Sequence, residues 1–275
     1  MTETQVGVRD VTAVVPVRNG EALLPGCLSA LNRSGVGAVV VVDGLSTDAS
    51  REIASAHGAT VLSDEGKGLP HARTIGAAAA GTRWVLLVDC DVVFPDGALI
   101  TLLDEFRTGG YAALQAGLSS VGGPGYWGRA LAHHHRTGRS RLWFGLVATL
   151  FERDELVRIG FDDDFTSGED IELRWRLRQA GRPAAVSERA MVEHRFAGDD
   201  FGFALDQFLM DGAGLGRMVR KHGLRGVRLL VLPLAAAVRG SALSAARGQP
   251  GWLPYFAAFC WFNYVGIARG LVRRC

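Results

Sequence analysis

Apolar residues occur in short continuous runs over the first ninety positions, and polar turns separate these runs. Four runs have the length and the aliphatic content of buried strands: residues 11–17 (VTAVVPV), 38–44 (AVVVVDG), 59–64 (ATVLSD) and 84–89 (WVLLVD). Three intervals between them place apolar side chains at helical spacing: residues 21–35, 46–58 and 69–81. This alternation predicts an α/β fold, with a mainly parallel sheet flanked by helices.

The pattern is less regular in the middle of the chain. Residues 122–145 are rich in Gly and basic side chains, and they predict a mobile loop or a helix with loose flanks. Residues 147–160 predict a strand followed by a helix, and residues 167–181 predict a capped helix that ends at Gly181. We expect residues 190–196 to form a short edge strand. The stretch GAGLG at 212–216 follows no strand, so it does not indicate a dinucleotide site.

Charge divides the 275 residues unequally. Residues 212–275 contain ten of the 30 Lys and Arg and none of the 28 Asp and Glu. The preceding residues 1–211 are therefore acidic, and we expect them to form the main domain. A basic segment attached to an acidic body predicts a polyanionic partner for that segment.

The basic segment also contains two apolar runs, residues 229–238 and 252–268. Both are short for a bilayer span, which needs about 20 residues. Trp and Tyr beside Arg are typical of the headgroup region, so we expect helices that lie in an anionic membrane interface. Packing of these helices on the main domain is the alternative. Nucleic acid is not favoured as a partner, because the aromatic residues lie within the apolar runs and not among the cations.

The cysteines are scattered, with no C-x-x-C spacing, at Cys27, Cys90, Cys260 and Cys275. This predicts reduced thiols in a cytosol and neither a disulfide framework nor a zinc site. The first ten residues lack the basic start and the apolar run of a secretory signal. Together with the basic tail, these features predict a cytoplasmic protein, peripheral on the inner face of the plasma membrane.

Polar turns follow the first, second and fourth predicted strands, and ligands of such sheets bind beyond the carboxyl ends of the strands. In the turn after the fourth strand, Asp89 and Asp91 place two carboxylates two residues apart. They repel each other unless a positive charge lies between them. Mg²⁺ or Mn²⁺ supplies that charge and takes its other ligands from phosphate and water. A solvated turn, in which Asp accepts backbone hydrogen bonds, is the alternative.

Two further features indicate a nucleotide diphosphate. Lys67 lies between two glycines and Arg73 follows it, and cations beside a flexible backbone suit a diphosphate. Asp43 ends the second strand, where its carboxylate is placed to accept from the N–H of a base. Ordinary surface charge, for the cations, and a turn, for Asp43, are the alternatives.

Five stretches in this order resemble the glycosyltransferase family 2 enzymes: VVPVRNGE, VVVVDGLSTD, GKGLPHARTIGAAAAG, VLLVDCD and GEDIELRWRLRQAG. The resemblance covers about residues 11–196. It implies a nucleotide-diphospho-sugar transferase fold with a catalytic domain over residues 1–211. It also implies an inverting transfer from a nucleoside-diphosphate sugar to a hydroxyl acceptor, with Mn²⁺ or Mg²⁺ as cofactor. With the tail at a membrane, a lipid-linked acceptor is a natural candidate.

The resemblance implies roles for residues of the nucleotide site. Asp43 looks like the residue that reads the base, although the family often has Asp-Asp-Gly-Ser where this chain has Asp43-Gly44-Leu45-Ser46. The other residues expected around the nucleotide are Pro16, Asn19, Glu21, Lys67, Arg73 and Asp89.

The resemblance also implies a metal site and a base. Asp89 and Asp91 look like the family's D-x-D pair, with Asp91 as the direct metal ligand. His194 lies where many members have a further metal or diphosphate contact. Asp170 looks like the general base. From the residues alone Asp170 has a structural alternative, since Ser167 and Asp170 fit the spacing of a helix capping box.

Other interpretations remain open at this level. A nucleotidyltransferase also pairs a parallel sheet with carboxylates and Mg²⁺, although a Gly-rich triphosphate loop is expected after its first strand. A non-catalytic nucleotide-sugar-binding scaffold at the membrane is a third hypothesis. The triplet His133-His134-His135 predicts a solvated surface or an acceptor loop. Trp127, Trp143 and Phe144 predict either sugar stacking or core packing.

Overall fold

The computed structural model describes residues 7–137 and 143–272. Cys275 and residues 138–142 of the irregular middle segment lie outside the described residues. The chain divides into two compact units. One, which we call the sheet unit, comprises the described residues of Met1–Ser119, Leu142–Asp163 and Leu173–Arg195. The other, the helical unit, comprises those of Ser120–Arg141, Asp164–Glu172 and Phe196–Cys275.

The sheet has eight strands among the described residues: β1 (Val11–Val17), β2 (Ala38–Asp43), β3 (Thr60–Ser63), β4 (Trp84–Val88), β5 (Val92–Val93), β6 (Ala113–Val121), β7 (Ala148–Glu152) and β8 (Ala184–Arg195). Their order is β3-β2-β1-β4-β7-β6-β8-β5. The first four strands in this order are parallel, as expected from the sequence. β7 is antiparallel to both β4 and β6, and β5 is antiparallel to β8, so the sheet is mixed.

Helices fill the connections: α1 (Leu24–Ser34), α2 (Ser50–Ala56), α3 (Leu69–Ala79), α4 (Ala98–Gly109), α5 (Tyr126–Thr137), α6 (Arg153–Ile159), α7 (Glu169–Gln179), α8 (Phe201–His222), α9 (Leu224–Val227), α10 (Leu232–Ala246) and α11 (Leu253–Val272). Short 3₁₀ turns at Arg228–Val231 and Pro250–Trp252 precede α10 and α11. All helices predicted from the sequence up to residue 181 are present.

Both faces of β1 are buried, which explains why its sequence is apolar without alternation. Ala13 and Val15 belong to one core cluster, together with Leu28 of α1. Val14 belongs to a second cluster, together with Ala72 of α3. Helices therefore cover the sheet on both faces, which is the usual arrangement for parallel strands.

The prediction of a short edge strand at residues 190–196 is wrong in both length and position. β8 has twelve residues and lies between β6 and β5. Polar residues at 187–189 interrupt the apolar pattern of β8, so the sequence does not indicate the first half of this strand. Ser187 explains this interruption, because its Oγ donates to Glu105 and accepts from the N–H groups of Arg189 and Ala190.

The helical unit has its own core, which α5, α8, α10 and α11 form. The domain boundary predicted after residue 211 falls inside α8. The close contact of α8 with α11 depends on glycine: a Cβ on Gly212 would lie 2.1 Å from the carbonyl oxygen of Asn263, and one on Gly216 would lie 2.4 Å from that of Ile267. The GAGLG stretch is therefore a helix-packing element.

The expectation of a solvated histidine triplet is wrong for His134. His134 lies among the rings of Tyr255, Phe256 and Phe259, and its Nδ1 is 2.9 Å from the Tyr255 hydroxyl. Burial lowers its pKa to about 4, with smaller contributions from the charges of His133 and Arg239. The aromatic partners come from a helix more than a hundred residues away, which local sequence does not indicate.

The three aromatic residues singled out from the sequence have different surroundings. Phe144 is fully buried in the second core cluster of the sheet unit, and Trp127 packs against the core of the helical unit. Core packing therefore accounts for both. The Trp143 side chain is 41% exposed.

One helical segment within the described residues, Leu224–Ala246, is long and apolar enough to cross a membrane by length and composition. It combines α9, the first 3₁₀ turn and α10, and it is longer than the ten-residue apolar run in the sequence. Its buried share is 22%. Composition of this kind is a weak criterion by itself.

A glycine on α3 provides a test of this packing. A Cβ on Gly76 would lie 2.3 Å from Cγ1 of Val14, which β1 holds in the core. We expect Gly76→Ala to lower the free energy of unfolding by roughly 1–3 kcal/mol through overpacking. Gly81→Ala, with nothing within 4 Å of its Cβ, is the control and should change it by less than about 0.5 kcal/mol. Thermal unfolding of both variants measures this, and equal stabilities would contradict the close packing of α3.

Candidate active site

The loops after β1 and β2 are joined side by side. Their strands end in register, with Val17 paired to Asp43. Asn19, which has a positive φ of 53°, donates its N–H to Ser46 Oγ at 2.9 Å and accepts the Thr47 N–H on Oδ1 at 2.8 Å. All three residues of this contact belong to the polar turns after the first two strands, where the sequence predicts a nucleoside to bind.

Glu21 extends the same contact. Its backbone N–H donates to Asp48 Oδ2 at 3.0 Å, and its own Oε2 accepts the Ala49 N–H at 3.1 Å. Asn19 and Glu21 therefore hold the two loops together, and both residues remain exposed at the surface. This network shapes a polar rim at the carboxyl edge of the sheet.

Asp43 and Pro16 lie deeper. Pro16 is buried within β1, beside Val42 of β2. Asp43 is fully buried, and both of its carboxylate oxygens accept the N–H of Ser46, at 3.2 and 3.3 Å. Its carboxylate closes the turn after β2 in this structure.

A third loop, after β3, is organised by Asp64, a residue that the sequence analysis missed. Its side chain is 3% exposed, and its two oxygens accept the N–H groups of Gly66 at 2.7 Å and Gly68 at 3.0 Å. Asp followed by glycines at this spacing is a turn signal that was available in the sequence. Lys67, between the two glycines, is exposed and pairs with Glu65 at 2.8 Å.

Arg73 supplies a positive partner for the first carboxylate of the Asp-Cys-Asp turn. The Arg73 side chain lies on α3 and is 1% exposed, and its Nη2 is 3.0 Å from Asp89 Oδ1. Asp89 itself is 30% exposed. Arg73 therefore pairs with Asp89, and its contact with a diphosphate stays a prediction.

His194 supplies a partner for the second carboxylate. β5 pairs with β8, so that Val92 lies opposite His194. His194 Nε2 is 3.3 Å from Asp91 Oδ2, and the Asp91 carbonyl accepts the N–H of Arg195 at 2.9 Å. The end of β8 thus holds Asp91 through both its side chain and its backbone.

The pKa values of this cluster reflect confinement and mutual charge. Burial and, to a smaller extent, the Asp91 carboxylate raise the pKa of Asp89 to about 6, against the opposing charge of Arg73. Burial alone would lower the pKa of His194, but its hydrogen bond to Asp91 and the nearby carboxylates outweigh this and raise it. Burial and the two carboxylates raise the pKa of the Cys90 thiol to about 12. The thiol is therefore protonated at neutral pH in the absence of a metal.

One atom of the cluster fits a metal ligand. Asp91 Oδ1 is buried, and it has no hydrogen-bond partner among the described residues. A buried carboxylate oxygen without a partner is costly unless a ligand satisfies it. No group of three or more His, Cys, Asp and Glu side chains that could hold a metal occurs in residues 7–137 and 143–272. The two carboxylates of Asp89 and Asp91 are a donor set of the kind that Mn²⁺ and Mg²⁺ accept, since these ions bind one or two carboxylates and complete their shells with phosphate and water.

Asp170 belongs to the helical unit, at the start of α7. The expected alternative was a capping box with Ser167. In the structure, the Ser167 hydroxyl donates to the carbonyl oxygen of Met210 at 2.8 Å and accepts from Arg217 at 2.7 Å. Thr166 also accepts from Arg217. Both hydroxyls are therefore directed to α8.

Residues 12–161 match the model of the family described as glycosyl transferase family 2. The matched stretch is more than half of the chain and includes the three loops and the Asp89–Asp91 pair. Asp170 and His194 lie beyond it.

Two curated proteins illustrate the similarity. The pre-mycofactocin glycosyltransferase of Mycobacterium tuberculosis is 32% identical over 202 residues, which cover 68% of this chain and 43% of that protein. Succinoglycan biosynthesis protein ExoA of Rhizobium meliloti is 26% identical over 219 residues, which cover 72% of this chain and 66% of that protein. The chain thus spans less than half of the length of the first relative.

Solved structures with low sequence identity share the fold. A mannosyltransferase from Pyrobaculum calidifontis, solved with GDP-Man and Mn²⁺, matches with a TM-score of 0.67 at 18% identity and covers 96% of this chain and 87% of its own. GalNAc-T7, solved with UDP, GalNAc and Mn²⁺, has a TM-score of 0.54 at 16% identity, over 68% of this chain and 44% of its own. At these identities the likeness concerns the fold alone.

The ion pair of Arg73 with Asp89 can be tested through stability. Arg73→Met removes the cation and leaves the partly buried Asp89 carboxylate without its partner, which should destabilise the protein by about 1–3 kcal/mol. Arg83→Met is the control, because Arg83 pairs with Glu152 at the surface, where an ion pair contributes about 0–1 kcal/mol. Urea unfolding of the two variants measures the difference. Similar small losses in both would show that Arg73 does not hold Asp89.

Proposed function

This chain belongs to glycosyl transferase family 2, and we propose that it transfers a sugar from a nucleoside-diphosphate sugar to a hydroxyl acceptor, with inversion at the anomeric carbon. The observation that carries the proposal is the Asp89–Asp91 turn, with its buried, unpartnered Asp91 Oδ1 at the carboxyl edge of the sheet. The family match favours sugar transfer over the nucleotidyltransferase alternative. Intact candidate ligands and a candidate base argue against a non-catalytic scaffold.

The nucleoside binds, in this proposal, beside the joined loops after β1 and β2. Asp43 and Pro16 form the floor, and Asn19 and Glu21 hold the rim in shape. The exposed Lys67 is free to exchange its surface partner Glu65 for a diphosphate, since exposed ion pairs are weak. Arg73 acts indirectly, by keeping Asp89 in place.

Mn²⁺ or Mg²⁺ is the proposed cofactor, with Asp91 as the direct ligand and Asp89 beside it. The ion would neutralise the charge that develops on the nucleoside diphosphate as it leaves. His194 orients Asp91 by its contact with Oδ2, so that Oδ1 is left for the ion. The solved mannosyltransferase that shares the fold was obtained with GDP-Man and Mn²⁺, which supports a metal of this kind.

Asp170 is the proposed general base. The carboxylate lies in the first turn of α7, where the helix dipole favours its ionised form. It would accept the proton of the acceptor hydroxyl as that hydroxyl attacks the anomeric carbon. A single displacement on the face opposite the leaving group inverts the configuration.

The proposed acceptor and cellular location are based on the exposed apolar side chains of the tail. Five apolar side chains of Leu224–Ala246 recur at intervals of three and four and are 44–93% exposed: Leu224, Val227, Val231, Leu234 and Val238. This spacing places them on one helical face. With the neighbouring arginines, such a face suits an anionic membrane surface, and a lipid-linked hydroxyl is the proposed acceptor.

A membrane-spanning arrangement is less favourable for this segment. Arg239 would lie well inside the hydrocarbon region, where a charged side chain is costly. Its Nη1 instead donates to the carbonyl oxygen of Thr137 at 3.1 Å, within the helical unit. We therefore propose a protein that lies on the cytoplasmic face of the plasma membrane.

The metal site predicts that nucleotide binding depends on a divalent cation. We expect Asp91→Asn to weaken Mn²⁺-dependent binding of UDP or GDP by roughly tenfold or more, because it removes the charge that holds the ion. Asp96→Asn is the control, since the Asp96 side chain is 92% exposed. Calorimetric titration with and without a chelator measures the effect. Equal affinity in both conditions would contradict the metal assignment.

The assignment of Asp170 predicts a loss of turnover without a loss of stability. Asp170→Asn retains hydrogen bonding but cannot accept a proton, so kcat should fall by roughly 10² or more. The melting temperature should change little, and the exposed Asp206→Asn should leave both quantities unchanged. The substrate is whichever of UDP-glucose, GDP-mannose or dTDP-glucose stabilises the protein most with Mn²⁺, and the assay follows release of the nucleoside diphosphate. Full activity of Asp170→Asn would place the base elsewhere.

The apolar face predicts binding to anionic vesicles that weakens with salt. The double variant Val231→Glu, Leu234→Glu should bind less, because it puts two charges on the face that enters the interface. Ile100→Glu with Val157→Glu is the matched control, since both of these side chains are exposed in the sheet unit. Co-sedimentation of the full chain with anionic and neutral vesicles measures this. No binding to anionic vesicles at low salt would contradict the membrane proposal.

A further inference from the structure

The segment 164–172, which carries Asp170, contacts α8 through two glycines. Gly168 has a φ of +81°, and a Cβ on it would lie 2.7 Å from Gly214 Cα. A Cβ on Gly214 would lie 2.9 Å from Gly168 Cα and 3.1 Å from the carbonyl oxygen of Ser167. The two backbones are thus in direct contact, two residues before Asp170, and neither position has room for a side chain.

Arg217, almost one helical turn after Gly214, binds the same segment with both ends of its guanidinium. Nη1 donates to Ser167 Oγ at 2.7 Å and to the Ser167 carbonyl oxygen at 3.3 Å, and Nη2 donates to Thr166 Oγ1 at 2.6 Å. Ser167 in turn donates to Met210 of α8. A planar fork with fixed donors restricts the orientation of what it binds more strongly than a single ammonium group does.

Lys221, on the following turn of α8, completes the contact. Its Nζ is 2.6 Å from Glu172 Oε1, whose side chain is 1% exposed, and it lies 5.4 Å from the centre of the Phe165 ring. Gly214, Arg217 and Lys221 follow at intervals of three and four, so they share one face of α8. They contact the segment on both sides of Asp170.

Another face of α8 packs against α11. A Cβ on Gly266 would lie 2.4 Å from the carbonyl oxygen of Leu209, and one on Gly270 would lie 2.2 Å from that of Ala213. These approaches complement those of Gly212 and Gly216 from the other helix. α8 is therefore fixed by the tail on one side and holds the Asp170 segment on the other.

We propose that Arg217 and Gly214 are positioning residues for Asp170, which hold the backbone of residues 166–168 so that the carboxylate is correctly placed. This rests on the proposed role of Asp170 as the base. Neither residue takes part in proton transfer. A displacement of about 1 Å at a reacting group can lower a rate by roughly 10².

Hydrogen exchange tests, without substrate, whether Arg217 and Gly214 hold the backbone of residues 166–168 in place. In Arg217→Met, we expect the amides of residues 166–172 to exchange faster, while those of β1 and β4 keep their protection. In Gly214→Ala the added methyl should have the same local effect. Arg178→Met, an exposed residue of α7, and Gly251→Ala, with nothing within 4 Å of its Cβ, are the controls. Unchanged exchange of the segment in both Arg217→Met and Gly214→Ala would overturn the proposal.

Kinetic measurements test whether Arg217 affects turnover by positioning Asp170. We expect Arg217→Met to lower kcat roughly 10- to 100-fold, with the dissociation constant for UDP or GDP with Mn²⁺ unchanged, and Arg217→Lys to recover part of the loss. The substrate is the nucleotide sugar selected by thermal shift. In an Asp170→Asn background, Arg217→Met should cause little further loss. A full additional loss in that background, or parallel losses of nucleotide affinity and melting temperature, would overturn the positioning role.

These outcomes separate the two proposals. If exchange of residues 166–172 is faster but Asp170→Asn retains full turnover, the assignment of the base fails, and the positioning role fails with it. If Asp170→Asn is inactive while Arg217→Met and Gly214→Ala match their controls in exchange and turnover, the positioning role alone fails.

Discussion

The candidate site depends on how two neighbouring carboxylates are kept at the end of one strand. Asp89 and Asp91 leave β4 two residues apart, where their like charges repel each other. Arg73 from α3 contacts Asp89, and His194 from β8 contacts Asp91. Each carboxylate therefore has its own partner, which offsets the repulsion between the two. Arg73 is almost fully buried, which requires α3 to lie close to the sheet, and the glycine at position 76 permits this. His194 requires β8 to continue to the end of the sheet next to β5. The packing of one helix and the pairing of one strand are therefore both conditions for the site.

The parts of this arrangement that follow local rules were predictable from the sequence. β1, β2 and β4 are continuous apolar runs, and the polar turns after them mark the carboxyl edge of the sheet. The contacts that decide the chemistry are non-local. Arg73 could be assigned to a diphosphate from its position after a glycine-rich turn, but its pairing with Asp89 depends on how α3 packs. The length of β8 was underestimated because Ser187 satisfies backbone groups inside the strand, which produces a polar interval that resembles a loop.

Non-local contacts also explain why parts of the helical unit could not be predicted from the sequence. The histidine triplet was expected at a surface or in an acceptor loop because three consecutive residues of a helix cannot all face one metal ion. His134 is nevertheless only partly exposed, since α11 supplies rings that pack around it. The stretch GAGLG lies within α8, and its packing function becomes visible when both helices are considered. Glycines at 212 and 216 bring α8 close to α11, while Gly214, on a different face, contacts Gly168.

The basic residues of the tail have more than one kind of partner. From composition alone, the ten cations of residues 212–275 form one group for which a single polyanionic partner is expected. Arg217 and Lys221 instead contact the segment that carries Asp170, and Arg239 binds a backbone carbonyl of α5. The cations left for a lipid surface are fewer than the net charge indicates, so apolar contact along Leu224–Ala246 must supply a larger share of any membrane affinity. Among the described residues the tail first forms part of the core of the helical unit, and in the proposed function it contacts the membrane through the exposed apolar side chains of Leu224–Ala246.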